Sequence, residues 1–360
     1  MSRDLFSPAS LGALTLSNRV VMAPMTRNRS LGNVPGDLVA AYYAQRASAG
    51  LIITEGASPS PNGLGYPRIP GIFSEAQVAG WKAVTAAVHA QGGKIFLQLM
   101  HTGRIGHAAN LPVGAEVLAP SAVAAAGEIW TDTLGLQPHP VPRAMSEQDI
   151  RQVVAEFAQG CTNAVEAGFD GVELHSANGY LLEQFLNPGS NTRTDAYGGS
   201  LENRSRFTLE VAAAAVAAIG KDRVGIRLSP HGVFNDIAPF AETEAAYSAL
   251  ARELDALGLA YLHLVDHSPM GAPPVAPATI QKIREAFRGT LILSGGYDRE
   301  RAEVDLAAGR AGLVAFGRPF ISNPDLPERL KSGAPLAAYD MATFYTPGEK
   351  GYTDYPALNA

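Results

Sequence analysis

Short apolar runs, each closed by turn-forming residues, recur along the whole chain. They cover Val20–Met25, Leu51–Gly56, Lys94–Met100, Gly171–His175, Val224–Pro230, Tyr261–Asp266, Leu291–Gly296 and Leu313–Arg318. Most are nearly continuous in apolar residues, the pattern of parallel strands buried on both faces. A different period lies between them. Ser74–Gln91 places Val78, Trp81, Val84 and Val88 three and four residues apart, which is one face of a helix. Ser146 with Asp149 three residues on is a capping-box variant, and Ile150, Val153, Val154 and Phe157 follow it. Ser200–Ile219, Glu242–Leu257 and Arg299–Ala308 read the same way. Gly92, Gly168, Gly220, Gly258 and Gly309 follow helical segments, where a left-handed cap is expected.

Strands alternating with helices predict an α/β fold, a closed (β/α)8 TIM barrel forming one domain over residues 1–360. An open doubly wound sheet is the alternative. Against it, no Gly-x-Gly-x-x-Gly follows the first strand and no linker divides the chain. Two stretches exceed a minimal barrel. Leu5–Leu16 reads as a hairpin plugging the barrel floor. His101–Ala144, rich in Gly and Pro after the third strand, reads as a flap over the mouth.

Composition narrows the function classes. Hydrophobic residues are 46% and charged residues 17% of 360, so a large core is possible and disorder is not expected. The 37 Gly and 25 Pro promise many sharp turns. A net charge of −6 without a basic block argues against a dedicated nucleic-acid binder. Cys161 is the only cysteine, which leaves no intrachain disulfide and no Cys-rich metal site. No apolar helical run approaches the ~20 residues needed to span a bilayer, and Met1–Ser10 has no apolar signal core. The expectation is a cytoplasmic protein with no membrane partner, either monomer or homodimer.

Barrel chemistry sits at the C-terminal ends of the strands. Strands seven and eight end in Gly295-Gly296 and Gly317-Arg318, which offer backbone N–H groups and a cation where barrels often bind phosphate. These glycines could equally serve only to turn the chain. Gln98 and Arg227 should point into the mouth from strands three and five. An Arg there needs an anion or strong acceptor, and Gln suits an amide-like heterocycle edge. Phosphate, heterocycle and nearby cation together describe a flavin mononucleotide; an internal ion pair of Arg227 with Glu173 or Glu55 is the plainer alternative. His175, Asn178 and Tyr180 cluster past strand four. His and Asn can donate to one oxygen, and a neutral Tyr phenol can supply a proton; a purely structural His is the competing reading. No ligand set for a catalytic metal, no facing pair of carboxylates, no Gly-x-Ser-x-Gly elbow and no inner-strand Lys at the mouth is evident. His263, in an apolar strand, reads as a packing histidine.

Six segments in order resemble the old yellow enzyme family of flavin-dependent ene-reductases. They are 18–27 (Asn18 to Arg27), 98–104 (Gln98 to Arg104), 175–181 (His175 to Leu181), 197–204 (Tyr197 to Arg204), 294–297 (Ser294 to Tyr297) and 316–319 (Phe316 to Pro319). The likeness runs from Leu5-Phe6 to Tyr355-Pro356. It implies non-covalent FMN, with NAD(P)H as co-substrate. Pro24, Met25 and Thr26 would line the flavin, and Ala57 would touch its edge through backbone. Gln98 would bond the pyrimidine side and Arg227 would sit near N1 and O2. Gly295, Gly296, Gly317 and Arg318 would hold the phosphate.

The resemblance further implies a ping-pong reduction of α,β-unsaturated carbonyls, maleimides or nitroalkenes. Hydride would pass through flavin N5, His175 and Asn178 would hold the substrate oxygen, and Tyr180 would give the proton. Tyr66 and Tyr345 would reach the substrate pocket. Thr26, where another subgroup carries Cys, resembles the classical, N-ethylmaleimide reductase-like subgroup. Met100 stands where many members carry Trp, which should widen the pocket beside the flavin. Another FMN barrel oxidoreductase, or a flavin-binding barrel without turnover, is the remaining reading.

Overall fold

Eight parallel strands close on one another in the computed structural model, which describes residues 4–358. We number them β1 (Val20–Met22), β2 (Leu51–Ala57), β3 (Ile95–Leu99), β4 (Gly171–Ser176), β5 (Val224–Leu228), β6 (Tyr261–Val265), β7 (Thr290–Ser294) and β8 (Leu313–Phe316). Each pairs with its sequence neighbours, and β8 closes the ring against β1. Helices lie between the strands, so the expected (β/α)8 barrel is what the chain forms.

Several strands stop short of the apolar runs that announced them. β1 ends at Met22 before Pro24, β7 at Ser294 before Gly295, and β8 at Phe316 before Gly317. Proline has no N–H to give a ladder. Gly295 has φ +121, a conformation outside any strand. The runs therefore contain strand plus the first residues of the mouth loops.

Helix ends follow local chemistry. Ser74 and Gln77 form a reciprocal capping box, as do Ser146 and Asp149, and Ser200 caps the helix Leu201–Ile219. The five capping glycines named from sequence all have positive φ, between 70 and 90 degrees. Two barrel helices lacked a clear pattern. Asp37–Ala44 is short, and Pro277–Ala286 opens on proline rather than on a side-chain cap.

Strands Ala9–Leu11 and Leu14–Leu16 form the expected antiparallel hairpin. Leu11 and Leu16 pack with Val21, Ile53, Phe96, Tyr261, Ile292 and Leu313 at the barrel floor. Burying each leucine contributes roughly 1.5–3 kcal/mol. Residues 101–144 carry their own structure, a hairpin of Glu128–Thr131 with Gly135–Pro138 and a short bridge between Leu118-Ala119 and Arg143-Ala144. No helix among the described residues is long and apolar enough to cross a membrane.

Candidate active site

Alternation along the strands decides what faces inward. Phe96, Tyr261 and Ile292 fill the floor layer. Two residues on along each strand come Gln98, His263 and Ser294, and β4 and β5 contribute Glu173 and Arg227 to the same inner layer. Gln98 Nε2 donates to Glu173 Oε1 at 2.8 Å, and His263 Nδ1 lies 2.8 Å from Glu173 Oε2. His263 Nε2 lies 2.9 Å from Ser294 Oγ. Burial holds the His263 pKa down despite Glu173, so the imidazole is neutral, with its Nδ1 proton on the carboxylate. The histidine packs and bonds inside the barrel, as its apolar strand suggested.

Arg227 differs from this ring. It makes no ion pair among the described residues, and its Nε is buried without a partner. Glu173 favours its charge, but that carboxylate is engaged by Gln98 and His263. Burial lowers the Arg227 pKa, yet a guanidinium stays charged at any ordinary pH. The internal ion pair weighed from sequence does not form.

Above this layer lies a cavity of about 590 Å3. Pro24, Met25 and Thr26 from the β1 end line one side, Arg227 and Asn178 another, and Gly295, Gly296, Gly317 and Arg318 a third. Gly296 has φ +62, and a Cβ there would meet Pro269 Cγ at 2.6 Å. A Cβ on Gly317 would meet only Met25 Sδ, at 3.7 Å, and both residues line the cavity. Bare backbone, a cation at each end and apolar walls form a cradle that fits a phosphate-bearing flavin. Arg227 lines this cavity, and its partnerless Nε is a donor that such a ligand could satisfy.

A second chamber of about 750 Å3 adjoins the first and shares Thr26, Phe234 and Tyr345 with it. Tyr66 and Tyr180 stand in its wall, and the Tyr180 hydroxyl donates to the Tyr66 hydroxyl at 3.1 Å. Burial raises the Tyr180 pKa, which keeps the phenol protonated. His175, beside Arg227 in the β4–β5 register, packs edge-on to the Tyr180 ring with centroids 4.9 Å apart. Burial and then Arg227 hold its pKa well below 6.5, so it is neutral, and its Nδ1 has no partner. Asn178 Oδ1 is likewise buried and unpartnered.

The turn carrying these groups is fixed from below. Glu183 accepts from Gly179 N–H at 2.6 Å, Ser229 Oγ at 2.7 Å and Tyr247 Oη at 2.5 Å. Asn178 has φ +60, and its N–H donates to Ser229 Oγ at 2.9 Å.

The structure thus brings the expected phosphate loops, Thr26, Arg227, Asn178, Tyr180, Tyr66 and Tyr345 onto the two cavity walls. Gln98, Ala57, His175 and Met100 lie directly behind those walls, each at most 2% exposed. The Ala57 carbonyl accepts from Met100 N–H at 2.9 Å. Met100 packs with Leu64, Ile105 and Tyr180, so it acts on the chamber through these neighbours. Sequence reasoning missed Glu183, Phe234 and Asn235. Asn235 is on the loop after β5, with φ +56, and its Nδ2 donates to Asn178 O at 2.7 Å. The only local signal was a polar, turn-rich stretch at a strand's C-terminal end.

Comparison with known proteins agrees with this geometry. Residues 4–337 match the model of the NADH:flavin oxidoreductase / NADH oxidase family. The chain is 44% identical to 12-oxophytodienoate reductase 1 of Oryza sativa subsp. japonica, across 98% of this chain and 93% of that protein. It superimposes on morphinone reductase in complex with tetrahydroNAD with a TM-score of 0.94 at 48% identity, covering 99% and 98% of the two chains. The old yellow enzyme homologue from Zymomonas mobilis gives a TM-score of 0.95 at 42% identity, covering 99% and 100%.

Proposed function

The chain belongs to the NADH:flavin oxidoreductase / NADH oxidase family, as its old yellow enzyme motifs implied, and we propose that it is an FMN-dependent, NAD(P)H-using ene-reductase. Its substrates on this reading are α,β-unsaturated carbonyls, maleimides or nitroalkenes. It acts as one cytoplasmic domain, monomeric or homodimeric. The observation that carries the reading is the meeting of two cavities, one backed by a partnerless buried cation and the other walled by a protonated phenol.

Pro24, Met25 and Thr26 would hold the FMN ring, with Gln98 and Ala57 supporting it from behind. Gly295, Gly296, Gly317 and Arg318 would hold its phosphate. FMN supplies a two-electron carrier between nicotinamide and alkene, so one site serves both in turn and kinetics are ping-pong. Arg227, on the wall of the same cavity, would place its positive charge near the bound ring and favour added negative charge there. His175 and Asn178 present two polar groups to the substrate oxygen; the Asn178 amide can turn its nitrogen inward as donor. The chemistry FMN would supply is a hydride for Cβ of the polarised C=C, and Tyr180 would give its proton to Cα. The Tyr66 hydroxyl, 3.1 Å from that of Tyr180, would hold the Tyr180 oxygen in place while its proton turns to Cα.

The test is direct. The purified protein should be yellow and release FMN on denaturation, identified by chromatography against FAD. Under anaerobic conditions it should oxidise NADH or NADPH beyond the single equivalent that reduces its flavin only when cyclohex-2-enone is present, yielding cyclohexanone. A colourless protein that takes up no FMN, or a flavoprotein inert to the enone, would overturn the proposal.

A further inference from the structure

Arg68 lies outside the groups used above, yet it joins three parts of the outer chamber. Its backbone has φ +54, a left-handed conformation that a long side chain rarely adopts. From there its guanidinium spreads over three segments. Nε donates to Asn28 O at 3.0 Å, on the loop after β1. Nη2 donates to Tyr345 O at 3.0 Å, on the C-terminal tail. Nη1 pairs with the Asp132 carboxylate on the flap hairpin. All three segments contribute to the chamber wall, and Tyr66, the partner of Tyr180, is only two residues before Arg68.

Among the described residues this is the only ion pair that ties the flap hairpin to another part of the molecule. Asn110 holds the same hairpin from within the flap, through Trp130 O at 2.9 Å. Asp132 also accepts from Trp130 Nε1 at 3.3 Å, so the pair fixes the indole that borders the chamber. The side chains are 16% and 42% exposed. A pair so placed is weak and salt-sensitive, strong enough to bias the hairpin but able to open.

We propose that Arg68 and Asp132 form a latch that holds the flap hairpin against the tail and so determines how well the outer chamber grips large substrates. Arg68 is a positioning residue in this arrangement, and the proposal rests on the ene-reductase reading above. On this proposal a small cyclic enone seated beside Tyr180 meets the hairpin at most through Ile129, which shares an apolar cluster with Tyr180. An enone with an added ring would extend towards Trp130 and Asp132 in the chamber wall, and would gain or lose contact as the hairpin is held or released.

The test compares the whole flavin-loaded enzyme with Asp132→Asn and Asp132→Glu variants. The substrates are cyclohex-2-enone and 5-phenylcyclohex-2-enone. Asp132→Asn should raise KM for the phenyl compound about fivefold, the range of a weak ion pair, while kcat for both compounds and KM for the smaller one stay within about twofold. Asp132→Glu should recover most of the loss. Amide hydrogen exchange over residues 128–138 should speed up several-fold in Asp132→Asn and return towards the parent rate in Asp132→Glu. Equal KM changes for both enones, or unchanged hairpin exchange, would overturn the latch. If the parent enzyme reduces neither enone, the ene-reductase reading fails, and the exchange measurement alone decides whether the hairpin is latched.

Discussion

Tyr180 and Arg227 make opposite demands on the same buried space. On the proposed mechanism Tyr180 must keep a proton until a carbanion-like carbon needs it, and burial raises its pKa in that direction. Arg227 must stay charged without an internal anion, which costs desolvation energy that a bound ligand can offset. Each demand gives a prediction. Tyr180→Phe should slow enone reduction about 100-fold or more, the usual span of general-acid catalysis. Flavin reduction by nicotinamide should change only slightly, because that step moves no proton through the phenol. Stopped-flow measurement of the two half-reactions checks this, and equal slowing in both would remove Tyr180 from the proton-donor role. Arg227→Met keeps the length and apolar body of the side chain but deletes the cation. Flavin affinity should fall roughly 10- to 100-fold, as for losing a charge-assisted hydrogen bond. Recovery of flavin fluorescence on dilution measures it, and unchanged retention would contradict the fit.

At the scale of elements, the barrel separates a structural floor from a chemical mouth. Leu16 is fully buried on the floor hairpin, far along the strands from Arg227 and Tyr180. Leu16→Ala should cost about 2–5 kcal/mol of stability and leave kcat nearly unchanged. Thermal melting and steady-state kinetics on one preparation test this, and a large loss of kcat without loss of melting temperature would break the separation. The same division explains what could be read from the chain itself. Strand order, floor hairpin, capping boxes and glycine caps depend on residues close in sequence, and each left a local pattern. Thr26, Arg227 and Tyr180 were legible because strand ends in a barrel share one address. Other features depend on contacts without local trace. Arg27 Nη2 donates to Gly351 O at 2.7 Å across 324 positions, and Arg29 bonds carbonyls of Thr343, Phe344, Gly348 and Lys350. These arginines fasten the tail that carries Tyr345, yet in sequence they are ordinary polar residues after a strand. Met100 shows the reverse limit. Its place at the end of the third strand was legible, but its burial with Tyr180, Leu64 and Ile105 depends on how the flap folds back.

Across the whole molecule, buried titratable groups set how stability responds to acid. Burial lowers the pKa of His101 to about 3 and that of His267 to about 4, and lowers His139, His175 and His263 as well. In the unfolded chain these imidazoles titrate near 6.5. Between their folded values and 6.5 the unfolded state binds more protons, so stability rises with pH through that window. Two buried carboxyls pull the other way. Burial raises Glu55 to about 7 and raises Glu183, so the folded state holds their protons longer and stability falls as pH climbs past 4.5. Asp149 and Asp195, held down by Arg143 and Arg193, release their influence only below the ordinary carboxylate range. From pH 4.5 to 6.5 five histidines therefore oppose two carboxyls, and the histidines prevail. The melting temperature of the flavin-loaded protein should rise over that interval, then level or dip slightly towards pH 7 as the raised carboxyls lose their protons in the folded state. His101→Asn isolates one contributor, since an Asn oxygen can accept the Gly103 N–H now 3.1 Å from His101 Nδ1. That variant should show a shallower rise between pH 4.5 and 6.5, because one proton fewer is taken up on unfolding. A melting temperature that falls between pH 4.5 and 6.5, or an undiminished slope in the variant, would mean these imidazoles are not buried neutral as the fold requires.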